Sequence, residues 1–375
     1  MPSRDTHPPA DSARRVVVGG PNLALAHPTN DSIATVDIDG VPVTTGVVAA
    51  ASPDFDRAAP ESAYQVLLRV RAFACNYRDK ALMRLAAQRL ADARFYAVGS
   101  EFVADVVAVG HRVTRVAVGD RVIGDNDYPG PLDGFGPRAR RPGIPTDHAS
   151  REFLTLPETA VAPIPSMMPD QVAAAFSLGA QTAYNMVAKA GISPGMPVLV
   201  TAACSSTSLC LLRVLAARGA DIVAVTTSTS RQALLRAAGA RAVHPIDSEA
   251  LRREAHEVGG FDCVFDPFLD AHMPWAMPLV AQHARYLTCG VRSAGAVGAG
   301  ERYASALEMA VIKNVQIIGS CLGTTADLHD ALADYAAGDY DVIVDSVFRG
   351  ADAGPFLRRT FSDRQRVGKA VFAYD

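Results

Sequence analysis

Two patterns of apolar and polar positions divide the chain. Between residue 32 and about residue 125 most segments are β-rich: YQVLLRVRAFA (64–74) alternates, and SEFVADVVAVG (100–110) and VAVGDRVIG (116–124) contain short apolar runs bounded by Gly-Asp turns. Such segments predict strands. Residues 1–30 are rich in Pro, Asp, Asn and Arg, and we predict that they form a tail or loose extension.

Helical spacing begins after residue 168. Residues 166–191 repeat apolar side chains at helical intervals, with Pro169 at the opening. Apolar strands then alternate with helices to about residue 320, and near-continuous apolar strands in that arrangement are typical of a parallel sheet covered on both faces. The predicted strands are 198–201, 222–227, 261–265, 285–289 and 315–319, and the helix after the first of them is 207–218. A return segment, 321–375, mixes strand and helix.

A Pro- and Gly-rich segment, 125–150, separates the two patterns. Long loops in compact domains are usually functional or mobile. Its Tyr128 and Phe135 could cover an apolar substrate as a lid, or could seal the domain surface instead.

Composition narrows the class of protein. The chain has 375 residues, 49% hydrophobic and 20% charged, which indicates two domains of a globular protein. The net charge is −3 and no basic block stands out, so we expect no nucleic-acid partner. No apolar run reaches the roughly 18 residues of a membrane span. The N-terminus resembles neither a signal peptide nor a transit peptide, and the scattered cysteines indicate reduced thiols in the cytoplasm.

Seven segments together resemble the medium-chain dehydrogenase/reductase superfamily, in particular its zinc-free quinone and enoyl reductase branch. In chain order they are VRAFACNYRDKALM, GSEFVADVVAVGHRVTRVAVGDRVIG, AAAFSLGAQTAYNMVAKAGISPGMPVLV, LLRAAGARAVHPID, FDCVFDP, RYLTCG and KNVQIIGSCLGT. They cover residues from about 64 to 373, whereas the first 60 residues match poorly. Each segment alone is weak evidence for membership of the family. The resemblance rests on finding all seven in the expected order along the chain.

The resemblance implies an α/β protein of two domains with the active site in the cleft between them. A GroES-like, β-rich catalytic domain (31–168 and 323–375) would follow the extension 1–30 and be interrupted by a Rossmann domain (169–322) with a doubly wound parallel sheet. The family's reactions transfer hydride between a nicotinamide and an alcohol, a quinone or an activated alkene. The family also implies a homodimer through a Rossmann edge strand, for which VQIIGSCLG is the candidate unless it is a buried core strand.

The resemblance also bears on zinc. Zinc-dependent relatives ligate their catalytic metal with a Cys and a His, and the matching positions here are Asn76 and Ser100. An amide and a hydroxyl are poor zinc ligands, and residues 101–160 contain no cysteine for the family's structural zinc. We therefore expect no zinc, and we interpret Glu101 as a structural carboxylate that accepts backbone hydrogen bonds.

Without a metal, hydrogen-bond donors must polarise the substrate oxygen. Reduction of a C=C bond conjugated to a carbonyl suits this chemistry better than alcohol oxidation. Tyr77 is the candidate proton donor or enolate stabiliser, with packing in the cleft wall as the alternative. Asn76 could hold the carboxamide or the ribose of the cofactor, as its counterpart lies near the cofactor in related reductases.

The predicted phosphate turn lacks glycine. A dinucleotide site normally has Gly-x-Gly-x-x-Gly between strand and helix, and the three slots fall on Ala203, Ser205 and Ser208. The helix N-terminus still offers N–H groups, and Ser205, Ser206, Thr207 and Ser208 add hydroxyls that could donate to phosphate. These hydroxyls could also simply cap the helix, and both roles are compatible.

The segment after the second strand favours NADPH over NADH. An NAD site places an Asp or Glu about 20 residues beyond the turn, whereas this chain has VTTSTSR. Thr227, Ser228, Ser230 and Arg231 suit a 2′-phosphate, although Arg231 could be an ordinary exposed helix residue. Cys289 and Gly290 end a predicted strand of the parallel sheet, at the edge where ligands bind in doubly wound folds, and by resemblance Thr182 and Lys369 also lie near the cofactor. A small buried residue is the alternative for Cys289.

Three functions stay open. The first is an NADPH-dependent reductase of a small conjugated carbonyl compound. The second is a redox-neutral biosynthetic enzyme, such as a cyclase, with altered or lost nucleotide binding, which the glycine-free turn supports. The third is a non-catalytic relative that keeps only the fold. In that case the polar segment TTSTSR (226–231) would have no phosphate to bind.

Overall fold

The computed structural model describes residues 13–26, 30–89, 95–127, 144, 146–291 and 300–374. The chain divides into two compact units, Met1–Leu178 with Val344–Asp375 and Gly179–Ile343. The boundaries between the two units lie between residues 178 and 179 and between residues 343 and 344. They fall ten and twenty-one residues after the predicted domain boundaries, 168/169 and 322/323. Tyr128 and Phe135, the predicted lid residues, lie outside the described residues.

The first unit contains two sheets. Its strands are β1 Ala13–Gly19, β2 Ala34–Ile38, β3 Val41–Ala50, β4 Gln65–Ala74, β5 Phe95–Ala97, β6 Glu101–Val109, β7 Arg121–Gly124, β8 Phe153–Pro157, β9 Val161–Pro163, β16 Val344–Phe348 and β17 Lys369–Ala373. One sheet has the order β2-β3-β1-β5, and the other has the order β16-β17-β4-β6-β7-β9, with β8 paired to β4. The strands predicted between residues 64 and 124 are confirmed.

The helices of the first unit are α1 Asn22–Ala26, α2 Tyr77–Arg89, α3 Asp170–Ala173 and α11 Ala353–Phe361. Pro169 precedes α3, as the opening proline predicts. A core of buried side chains, including Phe73, Phe102, Phe356 and Phe372, packs the strands against α2 and α11. Residues 344–375 of the return segment therefore complete the unit that the first half of the chain begins, whereas residues 321–343 belong to the second unit.

Part of the predicted N-terminal extension is instead a core element. β1 pairs with β3 from Ala13↔Ala50 to Gly19↔Thr44, and Val16, Val17 and Val18 are completely buried. The expectation of a loose extension is therefore wrong for residues 13–26, because the short run ARRVVVG buries its valines against β3.

The second unit is built on a parallel sheet. Its strands are β10 Pro197–Val200, β11 Asp221–Thr226, β12 Ala242–Pro245, β13 Phe261–Asp266, β14 Val280–Thr288 and β15 Gln316–Gly319, in the order β12-β11-β10-β13-β14-β15. Its helices are α4 Ser177–Ala190, which begins two residues before the unit, α5 Ser206–Ala217, α6 Gln232–Ala237, α7 Glu249–Glu257, α8 Leu269–Ala276, α9 Gly300–Ile312 and α10 Thr325–Ala337.

All strand pairs of this sheet are parallel. The order is that of a Rossmann sheet, whose strand sequence reverses between β10 and β13. The predicted doubly wound fold is confirmed, and β12 is a strand that the apolar pattern missed. None of the described helices is both long and apolar enough to cross a membrane.

Candidate active site

A buried polar cluster lies beside the ends of three strands in the first unit. We call Asn76, Asp79, Ser100, Glu101 and Lys369 the Asn76 cluster. Ala74 of β4 pairs with Glu101 of β6, and Val371 of β17 pairs with Ala74. This register brings together Asn76, two residues after the end of β4, the start of β6 and the start of β17.

The amide of Asn76 is held on both sides. Its Nδ2 donates to Ser100 Oγ at 3.0 Å and to Glu101 Oε1 at 2.9 Å, and its Oδ1 accepts from Lys369 Nζ. Lys369 Nζ also donates to Glu101 Oε1. Both amide hydrogens therefore have partners within the protein, and the predicted contact of Asn76 with a cofactor stays a prediction.

Glu101 is completely buried, and Lys369 is 4% exposed. The second oxygen of Glu101 accepts the backbone N–H of Leu178 at 3.2 Å. Glu101 thus accepts the predicted backbone hydrogen bond. It also accepts a hydrogen bond from the Lys369 ammonium, which the sequence analysis does not predict. A buried carboxylate is costly unless a cation or hydrogen-bond donors compensate it, and here both do.

Asp79 forms the other end of the cluster. Its Oδ2 accepts from the backbone N–H of Asn76 and from Ser100 Oγ, both at 2.6 Å, and Arg78 lies 3.4 Å from its Oδ1. Burial disfavours the carboxylate and raises the pKa of Asp79 to about 6, although these donors act in the opposite direction. Asp79 thereby joins the first turn of α2 to the start of β6.

Tyr77 is the first residue of α2, and 37% of it is exposed. The Lys80 ammonium lies 4.9 Å from the centre of the phenol ring and also pairs with Asp39. A cation at that distance attracts the ring face. The exposed fraction leaves Tyr77 suited to contact a substrate, and its role as proton donor stays a prediction.

Asp147 and His148, neighbouring residues that could act as an acid–base pair, have structural partners. Asp147 pairs with Arg78 and accepts the Ile144 N–H at 3.0 Å, and His148 Nδ1 lies 2.9 Å from the carbonyl oxygen of Ala97. Burial lowers the pKa of His148. These contacts favour a role in holding the segment that follows residue 145.

In the second unit the predicted phosphate turn joins β10 to α5. Ser205 is the N-cap of α5: its Oγ accepts the Ser208 N–H at 3.2 Å. Ser208 Oγ donates to the carbonyl oxygen of Thr201 at 2.8 Å and is completely buried. The capping role is confirmed for Ser205, whereas Ser206 and Thr207 are half-buried in the first turn of the helix.

The residue with left-handed backbone angles in this turn is not the one at which the glycine pattern places the first glycine. Ala202 has a φ of +43°, in the left-handed region that favours glycine. We assigned the first glycine slot to Ala203, whose backbone N–H instead donates to Val225 of β11 at 2.9 Å. The chain thus makes the turn with an alanine in a conformation that usually requires glycine.

The carboxyl end of β11 lies beside this turn. β10 and β11 are parallel neighbours, and Cys204 Sγ lies 3.3 Å from Thr226 Oγ1. Thr227 is exposed, Ser228 Oγ lies 3.0 Å from Ser230 Oγ, and Arg231 precedes α6 as its N-cap. Hydroxyls and a guanidinium therefore follow β11 where an NAD site would have a carboxylate.

Cys289 and Gly290 follow the carboxyl end of β14. Burial raises the pKa of the Cys289 thiol to about 12, so it is a protonated thiol at neutral pH. A Cβ on Gly290 would lie 2.9 Å from the carbonyl oxygen of Pro267, which explains a glycine here by close packing. Thr182 is a buried residue of α4. None of these contacts identifies a ligand.

Sequence reasoning missed a completely buried carboxylate of the second unit, Asp266, at the end of β13. It accepts from Thr201 Oγ1 at 2.7 Å, the Phe268 N–H at 2.9 Å and Tyr286 Oη at 2.6 Å, and His272 Nδ1 lies 2.6 Å from its Oδ1. It therefore ties together the ends of β10, β13 and β14. The available signal was an aspartate that closes an otherwise apolar strand.

Two family models match adjacent parts of the chain. Residues 62–166 match the model described as alcohol dehydrogenase GroES-like domain, and residues 207–337 match the model described as zinc-binding dehydrogenase. Acryloyl-coenzyme A reductase from Metallosphaera sedula is 25% identical over 330 residues, 82% of this chain and 91% of that protein. 2-methylene-furan-3-one reductase from Solanum lycopersicum is 33% identical over 181 residues, 47% of this chain and 43% of that protein.

The fold agrees with these matches. A solved structure of a thermostable alcohol dehydrogenase from Pyrobaculum aerophilum superposes with a TM-score of 0.74 at 24% identity, over 96% of this chain and 99% of that one. The chain belongs to the medium-chain dehydrogenase/reductase superfamily, with a GroES-like domain and a Rossmann-like domain. It is an oxidoreductase of that superfamily, whose reductases use nicotinamide cofactors.

Zinc, which the second family model implies, does not fit the residues that are present. The positions that the resemblance matches to two zinc ligands carry the amide of Asn76 and the hydroxyl of Ser100, and a lysine ammonium donates into the same cluster. Within the described part of the chain, no group of three or more His, Cys, Asp or Glu side chains is arranged to hold a metal.

Proposed function

We propose that this protein is a zinc-independent, NADPH-dependent reductase of a small compound in which a C=C bond is conjugated to a carbonyl, an enone, enoyl thioester or quinone, acting in specialised biosynthesis. The observation that carries the proposal is the Asn76 cluster, in which an amide and a hydroxyl occupy the two positions that the resemblance matches to zinc ligands, and a lysine ammonium donates to the amide. Hydride addition to a conjugated alkene requires polarisation of a carbonyl oxygen, which hydrogen-bond donors can provide.

The names of two relatives support the substrate class. Acryloyl-coenzyme A and 2-methylene-furan-3-one both have an alkene conjugated to a carbonyl. Because the first relative matches 82% of this chain and 91% of its own length, the similarity extends through both predicted domains. We propose the same class of reaction for this chain. We do not propose that it acts on either of these two substrates.

The residues of the second unit fit a nicotinamide dinucleotide phosphate. The N–H groups of the first turn of α5, with Ser206 and Thr207, would hold the pyrophosphate at the positive end of the helix. Thr227, Ser228 and Arg231 would bind the 2′-phosphate, for which a guanidinium provides paired donors. Cys289 and Gly290, at the edge of the sheet, would lie on the nicotinamide side, and the resemblance adds Thr182 and Lys369 as residues near the cofactor. When bound, NADPH supplies the hydride.

In the first unit, Tyr77 has the proton-donor role. Its phenol would donate a hydrogen bond to the carbonyl oxygen of the substrate, where negative charge develops, or protonate the α-carbon afterwards. The half-buried Asn76 precedes it and is held by Ser100, Glu101 and Lys369, so the backbone at the start of α2 has a defined geometry. Rigid placement of a donor at that point lowers the reorganisation that the reaction requires.

We propose that the protein is a homodimer in the cytoplasm. β15 is the last strand of its sheet, and four apolar side chains on α9 and β15 are at least 41% exposed: Leu307, Val311, Ile312 and Ile317. An exposed apolar strand edge is prone to pair with another strand. Light scattering at micromolar concentration tests this part of the proposal, which a monomer would refute.

A redox-neutral enzyme is the second candidate. The observation that favours it is the turn before α5, in which the hydroxyls of Ser205 and Ser208 are engaged within the protein. Calorimetric titration of the purified protein with NADPH and, separately, with NADH decides between the two. Micromolar binding of NADPH with much weaker NADH supports the reductase, which then goes to an assay of NADPH oxidation with enones and quinones. A well-folded protein that binds neither nucleotide refutes hydride transfer.

A further inference from the structure

Two arginines lie directly opposite each other in the first unit. Arg15 of β1 forms an isolated antiparallel bridge with Arg151, which lies two residues before β8. The backbone N–H groups of Val16 and Glu152, the next residue on each side, donate across this bridge at 3.2 and 2.8 Å. Arg15 and Arg151 are therefore a non-hydrogen-bonded pair, in which the Cα atoms are typically about 4.5 Å apart and both side chains leave on one face.

Neither arginine of this pair has an acidic partner within the described part of the chain. The neighbouring carboxylate, Glu152, pairs instead with Arg14 at 3.2 Å and with Arg69 at 3.7 Å. The four arginines thus have one carboxylate between them. An excess of positive charge at one place is unusual in a protein whose net charge is −3.

Arg15 is held in a half-buried position in which its donors are not fully used. Its Nε is buried without a hydrogen-bond partner, and its guanidinium carbon lies 5.7 Å from the centre of the Phe95 ring. Burial, and then the positive charge of Arg151, lower the pKa of Arg15. Like charges directly opposite each other destabilise a sheet, and a buried donor without an acceptor has a further cost. An anion between the two guanidinium groups would remove the first cost and offer an acceptor for the second.

We propose that Arg15 and Arg151 form a binding site for a phosphate monoester. Such a group carries about two negative charges at neutral pH, which match two guanidinium groups, and its oxygens accept the paired N–H donors that each guanidinium presents. A carboxylate would neutralise only one of the two arginines. Each arginine is therefore expected to contribute to the affinity.

The arginine pair lies a short distance along the chain from the Asn76 cluster. The Ala149 N–H, two residues before Arg151, donates to the carbonyl oxygen of Gly99 at 3.3 Å, and Gly99 precedes Ser100 of the cluster. An extended molecule whose phosphate lies at the pair would thus reach towards the cluster. We therefore infer that the phosphate is that of the carrier arm of an enoyl thioester. This assignment rests on the proposed function, whereas the phosphate site itself does not.

Calorimetric titration with inorganic phosphate, pantetheine 4′-phosphate and pantetheine tests the site. The parent protein is Arg231→Ala, so that the phosphate site proposed for NADPH does not contribute. We expect both phosphates to bind the parent and to bind about tenfold or more weakly once Arg15→Gln or Arg151→Gln is added, the usual effect of a lost charged hydrogen bond. Arg69→Gln, the matched control, removes one positive charge beside Glu152 and should bind like the parent.

Three outcomes of this titration count against the proposal. Absence of phosphate binding, or binding that neither Arg15→Gln nor Arg151→Gln weakens, overturns the site. An equal loss in Arg69→Gln overturns it too, because general charge and not the pair would then attract the anion. Binding of inorganic phosphate as tight as that of pantetheine 4′-phosphate, or binding of pantetheine itself, keeps or removes the phosphate site respectively and in both cases overturns the carrier arm.

Thermal unfolding gives a second readout that separates binding from a structural role. In phosphate-free buffer at low ionic strength, Arg151→Gln removes a repulsion, so its unfolding midpoint should be no lower than that of the wild type. Phosphate at constant ionic strength should raise the midpoint of the wild type and leave that of the variant unchanged, because only the wild type has the complete site. A variant that is less stable without phosphate overturns the proposal.

The assignment of the carrier arm has its own kinetic test. We expect NADPH oxidation with crotonyl-pantetheine 4′-phosphate to have a lower KM than with crotonyl-pantetheine, and Arg151→Gln to reduce this preference about tenfold. Arg69→Gln should keep the preference. Equal KM values in the wild type overturn the carrier arm. A wild type that binds pantetheine 4′-phosphate but oxidises no NADPH refutes the proposed reductase and leaves the phosphate site intact.

Discussion

Asp79 makes the stability of the protein depend on pH in a direction opposite to that of most carboxylates. Burial raises its pKa from 3.8 to about 6. Between these values the folded state holds a proton that the unfolded state releases, so the free energy of unfolding decreases as pH rises through this window. A difference of about 2 pKa units corresponds to about 3 kcal/mol.

Asp79→Asn should remove this dependence. The amide oxygen of asparagine can still accept from Ser100 Oγ and the Asn76 N–H, which lie 2.6 Å from Asp79 Oδ2, whereas no group remains to titrate. We expect the stability of the variant relative to the wild type to increase by about 3 kcal/mol between pH 4 and pH 7. The attraction to Arg78 is already included in this difference, because it lowers the pKa of Asp79 and burial still raises that pKa to about 6.

Urea unfolding of both proteins at intervals of half a pH unit measures the difference. The comparison cancels the other carboxylates, such as Asp345 and Asp170, whose pKa values are lowered and whose contributions are lost as pH falls through those values. A difference that does not change between pH 4 and pH 7 would contradict the reasoning. A wild type that gains stability relative to the variant as pH rises would show that the pKa of Asp79 is lowered.

Three further predictions concern the proposed cofactor and proton donor. Arg231→Ala should weaken NADPH binding by about 10- to 100-fold, the usual effect of a lost charged hydrogen bond, and leave NADH unchanged; equal losses for both nucleotides in calorimetry would exclude recognition of the 2′-phosphate. Tyr77→Phe should lower kcat by about 10²-fold or more if the phenol transfers the proton, and an unchanged kcat in an NADPH-oxidation assay would leave Tyr77 a packing role. Ser205→Ala should lower the free energy of unfolding by about 1 kcal/mol through loss of the N-cap, and urea denaturation would contradict this if the midpoint did not move.

The first unit contains a strand, β1, that the sequence pattern does not predict. β1 consists of seven residues, Ala13–Gly19, inside a 30-residue stretch whose average composition is polar. Its three valines are buried because β3 lies beside it, and that partner begins 22 residues after β1 ends. A local average cannot detect a short strand whose stability comes from a distant partner.

The phosphate turn illustrates the same limit at the scale of one residue. The strand, the turn and the helix were predicted within one or two residues of their ends, yet the left-handed residue is Ala202 and not Ala203. The apolar pattern locates an element, but the backbone angle of each turn residue depends on its hydrogen bonds to β11. The bond from the Ala203 N–H to Val225 is one that no spacing rule specifies.

Three properties can be read from the residues of single segments: the β-rich and parallel-sheet halves of the chain, the amide and hydroxyl at the two positions matched to zinc ligands, and the hydroxyls and arginine after β11. They are local, because periodicity and residue type need no distant partner. The pairing of Lys369 with Glu101 and Asn76 is visible only in the folded chain, since 268 and 293 residues separate these partners. Their contact depends on the pairing of β17 and β6 with β4, and burial then makes the charges depend on each other.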